Sequence, residues 1–423
     1  MAERRSGARR DSRESAAPIE LFVLGGRGYV AAELLRFLAG HPRFRVAGAT
    51  GRAEVGASLD AVFPTLAGAH PGARILASDA LRDAIAAGEG PVAIVSCLPH
   101  GVAAPEIRAA LAAAESAGRG ALVVDTSSDF RFSPEEHARI HGASHSDPEL
   151  AARFVSALPD VPGEIPAGLV AHPGCFTTSV TLPLWPLAAA GVLRRARVSA
   201  ITGSSGSGRE PSAATHHPER HGNLWAYKAL VHPHQAEMRA LLTRAAPVRT
   251  GTGSASRTGT VSSSRTGTGS GGTPPVPVPS PAIPASREDD DRPRSSATAT
   301  NTERRELPID FVPHSGPFVR GIHATIFAEL AEPLPADEVA ARIAAFYAHT
   351  PFVAVGLAPP RLAHVAGTNR IAIGVAGSGS EVVITSVIDN LGKGAAGGAL
   401  QWLNRLAGLE ETMGLMAPAL GVS

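Results

Sequence analysis

Short apolar runs alternate with helical repeats of apolar residues in the first part of the chain. Buried strands are predicted at 19–24, 44–49, 92–97 and 121–124. Apolar residues recur at helical spacing at 31–38, and an alanine-rich helix is predicted at about 102–117. Alternation of strands and helices with short connections predicts an α/β fold with a Rossmann-like, doubly wound parallel sheet.

The second part of the chain has a different pattern. Strands are predicted at 198–202, 307–312, 323–330, 370–376 and 381–388, and helices at 180–190, 336–347 and 394–406. This order predicts an α+β catalytic and dimerisation domain with a mixed sheet over 173–388. The NADP-binding domain would then occupy 19–172 and be completed by a C-terminal helical segment, 389–423.

Two segments have the composition of disordered chain. Residues 1–18 are polar and rich in arginine and serine, and 248–306 is rich in glycine, proline, serine and threonine. Such segments lack the large apolar side chains that would offset the entropy of ordering. We expect a disordered tail and a disordered insertion within the second domain. The alternative for the insertion is a partner-binding linker with polyproline II character.

Charge and cysteine content exclude several functional classes. The net charge of +1 gives no electrostatic footprint for nucleic acid or an anionic membrane. Lysine occurs only at Lys228 and Lys393, so that 37 of the 39 basic residues are arginine. Two cysteines are too few for a disulfide framework. No transmembrane run or secretory signal is evident, and we expect a cytoplasmic protein with free thiols.

A glycine-rich loop follows the first predicted strand and opens the first predicted helix. In this context glycines let the backbone approach a pyrophosphate at the helix N-terminus, so we expect Gly25, Arg27, Gly28 and Tyr29 to contact a dinucleotide. An ordinary strand–helix turn is the alternative. No acid ends the second strand, and Arg52 could pair with a 2′-phosphate, which favours NADP over NAD. The alternative for Arg52 is a surface arginine.

Cys175 follows a Pro-Gly turn and precedes a predicted helix. A helix N-terminus favours the thiolate, which is a nucleophile, whereas a small buried core cysteine is the alternative. Cys97 lies in an apolar strand, where a structural role is expected.

Histidines that could exchange protons with a thiol cluster at 216–221 and 232–237. Their spacings do not match a helical zinc site, and Pro233 is expected to break any helix there, so no metal is predicted. Before them, a loop of small residues at 202–209 could pass close to a cofactor through Ser205 and Gly206.

Taken in order, these segments resemble the N-acetyl-γ-glutamyl-phosphate reductases of arginine biosynthesis, within the aspartate-semialdehyde dehydrogenase-like group. Segment 25–34 resembles the family's GxxGYxGxEL loop, with Ala31 at the third glycine, and 98–101 is LPHG as in the family. The chain reads DTSSDFR at 125–131, PGCFTT at 173–178 and GSSGSGR at 203–209, where the family has DLSADFR, PGCYPT and GxSGAGR. Two late motifs match at 367–369 and 389–397. Three departures stand out. Phe176 and Thr177 replace the usual Tyr and Pro, and Pro233 replaces the arginine of a His-Arg-His motif.

The resemblance implies reduction of N-acetyl-γ-glutamyl phosphate by NADPH through a thioester on Cys175. It implies roles for further residues: His232 as acid/base with His234 as the fallback, Arg131 as a clamp on the phosphate, Arg209, His234 and Glu237 as substrate contacts, and Asn390 on the nicotinamide amide. The family suggests a homodimer or homotetramer. Carrier-linked aminoadipyl phosphate or β-aspartyl phosphate is an alternative substrate. An NADP-sensing regulator and a scaffold acting through the insertion are alternatives of another class.

Overall fold

The computed structural model describes residues 17–247 and 306–421. The predicted tail, apart from its last two residues, and the predicted insertion, apart from Glu306, lie outside the described residues.

The first domain is built on a parallel sheet of seven strands in the order β3-β2-β1-β4-β5-β7-β6. Its strands are β1 Ile19–Leu24, β2 Phe44–Thr50, β3 Arg74–Leu76, β4 Val92–Ser96, β5 Ala121–Asp125, β6 Val155–Ser156 and β7 Leu169–Ala171. Every strand pair in this sheet is parallel. The order reverses between β1 and β4, which is the crevice where doubly wound sheets bind ligands. The predicted Rossmann-like sheet is confirmed.

Helices flank this sheet and supply most of its core. They are α1 Tyr29–Leu38, α2 Leu59–Val62, α3 Ser78–Ala87, α4 Ala103–Ser116, α5 Pro134–His141 and α6 Pro148–Ala151. The last helix of the chain, α11 Gly397–Leu406, packs against α1 and β5. Leu400 and Leu403 of α11 share one buried cluster with Leu34 and Leu35 of α1. The chain therefore returns to the first domain after completing the second.

The second domain is built on a mixed sheet of six strands in the order β12-β13-β11-β8-β10-β9. Its strands are β8 Leu193–Thr202, β9 Trp225–Ala226, β10 Ile309–Ser315, β11 Ile322–Pro335, β12 Val353–Gly356 and β13 Ile371–Ile388. β11 runs antiparallel to both β8 and β13, whereas β8 and β10 are parallel. The predicted mixed sheet is confirmed. The two strands predicted at 370–376 and 381–388 form the single strand β13, because Ser378 and Gly379 still pair with the end of β11.

Helices cover one face of the second sheet. They are α7 Cys175–Ala189, α9 Pro233–Ala245 and α10 Ala336–Phe346, whereas the short helix α8 His217–Arg220 lies in the connection between β8 and β9. Alternate residues of β8 and β11, such as Val198 and Ile326, point into a core beneath α7 and α10. Residues of the opposite parity, among them Phe327 and Val383, form the other face, which we call the outer face of the second sheet. Phe327 is 40% exposed there.

Among the described residues, no helix combines the length and the apolar content that a membrane span requires.

Candidate active site

Two adjoining cavities meet at Cys175. One, of about 710 Å³, lies at the carboxyl ends of the first sheet's strands, and we call it the cofactor cavity. The other, of about 480 Å³, lies largely against the second domain, and we call it the substrate cavity. The residues that line both are His100, Arg131, Cys175, Gly206, Ser207 and His234. A third cavity, of about 950 Å³, lies behind α9 and is not lined by Cys175.

The glycine-rich loop after β1 has the shape of a dinucleotide cradle. Gly25 has φ of +81°, and a Cβ on Gly26 would lie 2.4 Å from the Cβ of Ala49. A Cβ on Gly28 would meet no atom within 4 Å, since this residue faces the open cofactor cavity. Gly28 caps α1 without a side-chain hydrogen bond, which leaves the backbone N–H groups of the first turn for an anion. The loop therefore fits a pyrophosphate.

The end of β2 borders the same cavity without a free carboxylate. Arg52 lines the cavity and is exposed. The next acid along the chain, Glu54, pairs with Nε of Arg27 at 2.7 Å. A 2′-phosphate at this position would meet cations, whereas a ribose 2′-hydroxyl would lack its usual acceptor.

Cys175 is the first residue of α7, and Gly174 is the N-cap. The backbone N–H groups of Cys175 and Phe176 favour the thiolate, as predicted, but burial outweighs them and raises the pKa of the Cys175 thiol to about 11. The charge of Arg131 lowers this pKa, and that of Glu237 raises it. A partner must therefore accept the thiol proton near neutral pH.

Glu237 is a buried carboxylate held by protein donors. Its oxygens accept hydrogen bonds from the Gly174 backbone N–H at 3.2 Å and from the Thr177 hydroxyl at 2.5 Å. Nε of Arg131 lies 3.6 Å from Oε1 of Glu237. Glu237 is 1% exposed, and these contacts fix its carboxylate at the wall of the substrate cavity, so that its predicted contact with the substrate stays a prediction.

Arg131 is partly committed to backbone carbonyls. Its Nε donates to the oxygen of His172 at 3.0 Å, and its Nη2 donates to the oxygen of Thr126 at 2.6 Å. These bonds fix the guanidinium between the two cavities, and Nη1 is the nitrogen left over for a ligand.

Pro233 begins α9 instead of ending a helix. We predicted that it would break any helix here, but at the first helical position a proline loses only an N–H that would be unpaired anyway. His232 is the N-cap, and its Nδ1 accepts the backbone N–H of His234 at 3.1 Å. The proton of neutral His232 therefore sits on Nε2, which makes this ring nitrogen a donor.

His234 lies directly against the turn before Cys175. A Cβ on Gly174 would lie 2.3 Å from Nε2 of His234, so only glycine permits this contact. Nδ1 of His234 is buried without a hydrogen-bond partner among the described residues. Burial lowers the pKa of His232 to about 4 and that of His234 well below its usual value, so both rings are neutral at pH 7.

Asn390 is engaged by the protein. Its Oδ1 accepts the backbone N–H of Gly321 at 2.6 Å, and its Nδ2 donates to Oγ of Ser205 at 3.0 Å. Ser205 in turn donates to the carbonyl of Val319 at 2.7 Å. Asn390, Ser205 and Gly206 all line the cofactor cavity, where we predicted them. The contacts of Asn390 show that it also holds the loop that carries Ser205 and Gly206.

Arg209 lies beside the loop that follows β1. Its Nη1 donates to the carbonyl of Arg27 at 3.0 Å, and it lines the cofactor cavity but not the substrate cavity. The chain turns at Gly208, whose φ of +87° carries the next residue back towards the loop after β1. The structure thus places Arg209, which we predicted as a substrate contact, at the cofactor cavity, and its contact with the substrate stays a prediction.

A buried ion pair that we did not predict from the sequence lies at the turn that packs against Cys175. Nζ of Lys393 lies 2.5 Å from Oδ2 of Asp160, and both side chains are fully buried. Lys393 belongs to a π-helical turn, Gly392–Ala396. Within this turn, a Cβ on Gly394 would lie 2.7 Å from that of Cys175. The sequence signal that could have drawn attention to Lys393 is that lysine occurs at only two positions of the chain.

Among the described residues, no group of three or more His, Cys, Asp or Glu side chains is placed to hold a metal ion.

Comparison with known proteins agrees with this geometry. The family profile for the semialdehyde dehydrogenase NAD binding domain matches residues 20–170, and that for the semialdehyde dehydrogenase dimerisation domain matches 175–252 and 294–390. A protein of Marinobacter nauticus named N-acetyl-gamma-glutamyl-phosphate reductase is 34% identical over 420 residues, covering 95% of this chain and 99% of the relative. The chain belongs to the N-acetyl-gamma-glutamyl-phosphate reductase family.

A less similar relative and a solved structure also match nearly the whole length of this chain. An archaeal relative of the same name from Methanocella arvoryzae is 30% identical over 407 residues, 95% of this chain and 99% of the relative. The crystal structure of aspartate semialdehyde dehydrogenase II from Vibrio cholerae, complexed with ASA, has a TM-score of 0.60 at 14% identity. It covers 93% of this chain and 99% of that one. At this identity the likeness shows a shared two-domain fold.

The raised pKa of the Cys175 thiol predicts slow alkylation at neutral pH. In a Cys97→Ala variant, which leaves one thiol, the rate with iodoacetamide should keep rising up to about pH 11 because the thiolate is the reacting form. Mass spectrometry of the labelled protein at each pH measures this rate. Cys175→Ala is the control, since burial raises the pKa of Cys97 to about 12. A rate that levels off below pH 8 would contradict the burial argument.

Proposed function

We propose that this protein reduces N-acetyl-γ-glutamyl phosphate to N-acetylglutamate 5-semialdehyde and phosphate with NADPH, as an enzyme of arginine biosynthesis. The observation that carries this proposal is the meeting of the two cavities at Cys175. A nucleophile at that junction can be reached by an acyl phosphate from one side and by a nicotinamide from the other. The relatives' name adds support, since the chain covers nearly their whole length.

The charges of the substrate cavity favour an N-acylated substrate over β-aspartyl phosphate. Its lining includes Arg131, Lys228 and four histidines, at positions 100, 141, 232 and 234. Among the described residues that line it, Glu237 is the one carboxylate, and it is already held by Gly174, Thr177 and Arg131. A free α-ammonium would find cations and no available acid, whereas an acetylated nitrogen carries no charge.

The chemistry begins on the Cys175 sulfur. As a base takes the thiol proton, the sulfur attacks the acyl carbon, the bond from carbon to the phosphate oxygen breaks, and phosphate leaves with the bonding electrons. Nη1 of Arg131 is placed to donate to the leaving phosphate. A thioester remains on Cys175. The reaction requires a reduced thiol, which supports the predicted cytoplasmic location.

His234 is the better placed of the two histidines to take the thiol proton. Nδ1 of His232 is occupied by a backbone N–H, so its Nε2 can donate but has no lone pair to receive a proton. His234 lies beside Gly174, and neither of its nitrogens is committed to a partner among the described residues. We therefore assign the base to His234 and give His232, our predicted acid/base, the role of a donor to the substrate. The proton returns from His234 to the sulfur when the aldehyde is released.

The nicotinamide cofactor has a fitting site in this chain. It would supply the hydride that reduces the thioester. The loop at 25–29 would hold its pyrophosphate, and Ser205 and Gly206 would border the nicotinamide ring. Asn390 would keep the loop that carries Ser205 and Gly206 in place. Arg52 and the neutralised Glu54 support NADP as the form that binds.

A substrate panel tests the proposed function. Phosphate-dependent reduction of NADP is followed by absorbance with the semialdehydes of N-acetylglutamate, aspartate and aminoadipate. We expect kcat/KM to be highest for N-acetylglutamate semialdehyde, because its nitrogen is uncharged. A preference for aspartate semialdehyde would overturn the proposal.

Three variants serve as mechanistic controls in the same assay. Cys175→Ala should abolish turnover while NADP binding is retained, and His234→Asn should lose nearly as much kcat. His232→Asn should retain more activity, since the amide can still cap α9 and donate. Equal losses in the two histidine variants would contradict the assignment of the base.

Removal of the Arg52 side chain should separate NADP from NAD. In Arg52→Ala, the KM for NADP should rise by roughly tenfold to a hundredfold, the usual worth of a charge-assisted hydrogen bond, while the KM for NAD changes little. Initial rates with each cofactor measure this. Arg45→Ala is the matched control, because it removes an exposed arginine of β2, the strand that precedes Arg52, and this arginine pairs with Glu20. Equal effects of Arg52→Ala on both cofactors would refute its phosphate role.

We propose that the outer face of the second sheet is the contact of a homodimer. In the described part of the chain the helices that contact this sheet pack on the opposite face, and the family's dimerisation domain matches the residues that form the sheet. Light scattering should give twice the chain mass, and Phe327→Glu should reduce it to one chain, because a carboxylate would be desolvated in the contact. Arg153→Glu, in the first domain, is the control. A monomeric native protein would contradict this proposal, and a mass of four chains would indicate the tetramer.

A further inference from the structure

Lys228 is the unpaired cation of the substrate cavity. It lines this cavity and is exposed, and among the described residues its ammonium has neither an ion pair nor a hydrogen bond. Arg131, by contrast, is compensated by Glu237. The remaining ring nitrogens in the cavity belong to neutral histidines. The positive charge in this cavity that no acid compensates is therefore that of Lys228, and an anion that enters is expected to bind there.

The backbone fixes where Lys228 lies. The segment that carries it begins with β9, which pairs with β10, and the Tyr227 N–H donates to the carbonyl of Pro313 at 3.0 Å. On the other side, the Leu230 N–H donates to the carbonyl of Phe311 at 2.9 Å. Lys228 and Leu230 have φ of 44° and 62°, in the left-handed region that non-glycine residues rarely adopt. Anchors on both sides hold this unfavourable backbone in place.

The position of Lys228 relative to Cys175 indicates which part of a ligand it meets. Lys228 lines the substrate cavity but is not among the residues shared with the cofactor cavity. A group that Lys228 binds therefore lies on the substrate side of Cys175, outside the cofactor cavity. Its charge contributes to lowering the pKa of His100, His141, His232 and His234, the four histidines that line the same cavity.

The residue type is itself informative. This chain uses arginine at 37 of 39 basic positions, yet a lysine stands here. Lysine carries a compact ammonium on a flexible stem, whereas the guanidinium of arginine is a wide planar fork. A compact charge suits one carboxylate in a cavity of about 480 Å³ that also holds the rest of the substrate.

We propose that Lys228 binds the α-carboxylate of the substrate and thereby makes the enzyme select amino-acid semialdehydes over simple aldehydes. This proposal rests on the proposed function, because it takes the substrate to be an N-acylated amino acid with its reacting carbonyl at Cys175. The carboxylate then occupies the end of the cavity remote from the cofactor, with Lys228 as its counter-ion.

The test compares N-acetylglutamate semialdehyde with 4-acetamidobutanal, the same aldehyde without the α-carboxylate. In phosphate-dependent NADP reduction, the native enzyme should prefer the carboxylated aldehyde in kcat/KM. Lys228→Met keeps the length of the stem and removes the charge. It should lower kcat/KM for the carboxylated aldehyde by about tenfold or more, mainly through KM, and affect 4-acetamidobutanal much less.

Two further variants complete the design. Lys228→Arg keeps a cation and should restore part of the preference for the carboxylated aldehyde. Arg153→Met removes an exposed arginine that pairs with Glu115 at 3.6 Å, and should leave the preference intact. Loss of preference in Arg153→Met would attribute the effect to net charge and overturn the proposal.

The two proposals fail in different ways. If native enzyme does not oxidise N-acetylglutamate semialdehyde, the proposed function fails. If it does and Lys228→Met retains the native preference, the role of Lys228 fails and the function stands. A raised KM for inorganic phosphate with an unchanged aldehyde preference would place Lys228 on the phosphate instead and overturn the carboxylate proposal.

Discussion

The buried carboxylate of Glu237 is the contact on which the active site depends. From α9 it accepts hydrogen bonds from the Gly174 N–H and the Thr177 hydroxyl at the start of α7. It also faces the guanidinium of Arg131 from the first domain. A buried ion of this kind is stable only with such partners, and losing one of them leaves a costly unpaired charge. The carboxylate thus holds the thiol, the histidines of α9 and the arginine in one arrangement.

A second set of charges joins the cofactor loop to the same arrangement. Arg320 donates to Glu33 of α1 and to Asp389, and Asp389 also accepts the backbone N–H groups of Leu391 and Gly392. The helix that follows the glycine loop is therefore tied to the turn that packs against Cys175. The acids Glu237, Glu33 and Asp389 hold neighbouring loops and side chains in place. The proposed reacting groups, Cys175 and His234, have no ion pair among the described residues.

Much of this fold could be predicted from the sequence because its signals are local. Apolar periodicity located most of the longer strands and helices but not α3 or α9, and the glycines after β1 indicated a cofactor loop. Periodicity gave no warning of β3, because three residues are too few to show a repeat. Pro233 was misinterpreted because a proline ends a helix in most positions but can begin one at the first.

The site depends on contacts between distant segments, which explains what was missed. Arg209 turns towards Arg27 because of one glycine conformation that the sequence pattern does not reveal. Lys393 pairs with Asp160 across more than half of the chain, and no local pattern links them. The thiol of Cys175 has the predicted helix terminus, but the opposing burial arises from α9 and the π-helical turn, which no local signal announces.

The scarcity of lysine has a practical consequence for studying this enzyme. Of the two lysines in the whole chain, Lys393 is fully buried and Lys228 is exposed at the mouth of the substrate cavity. Apart from the chain's N-terminus, an amine-selective reagent therefore has one accessible target. Acylation there would remove the ammonium that we propose binds the substrate, so a bound substrate would protect this amine and the labelling rate would report how much of the cavity is occupied.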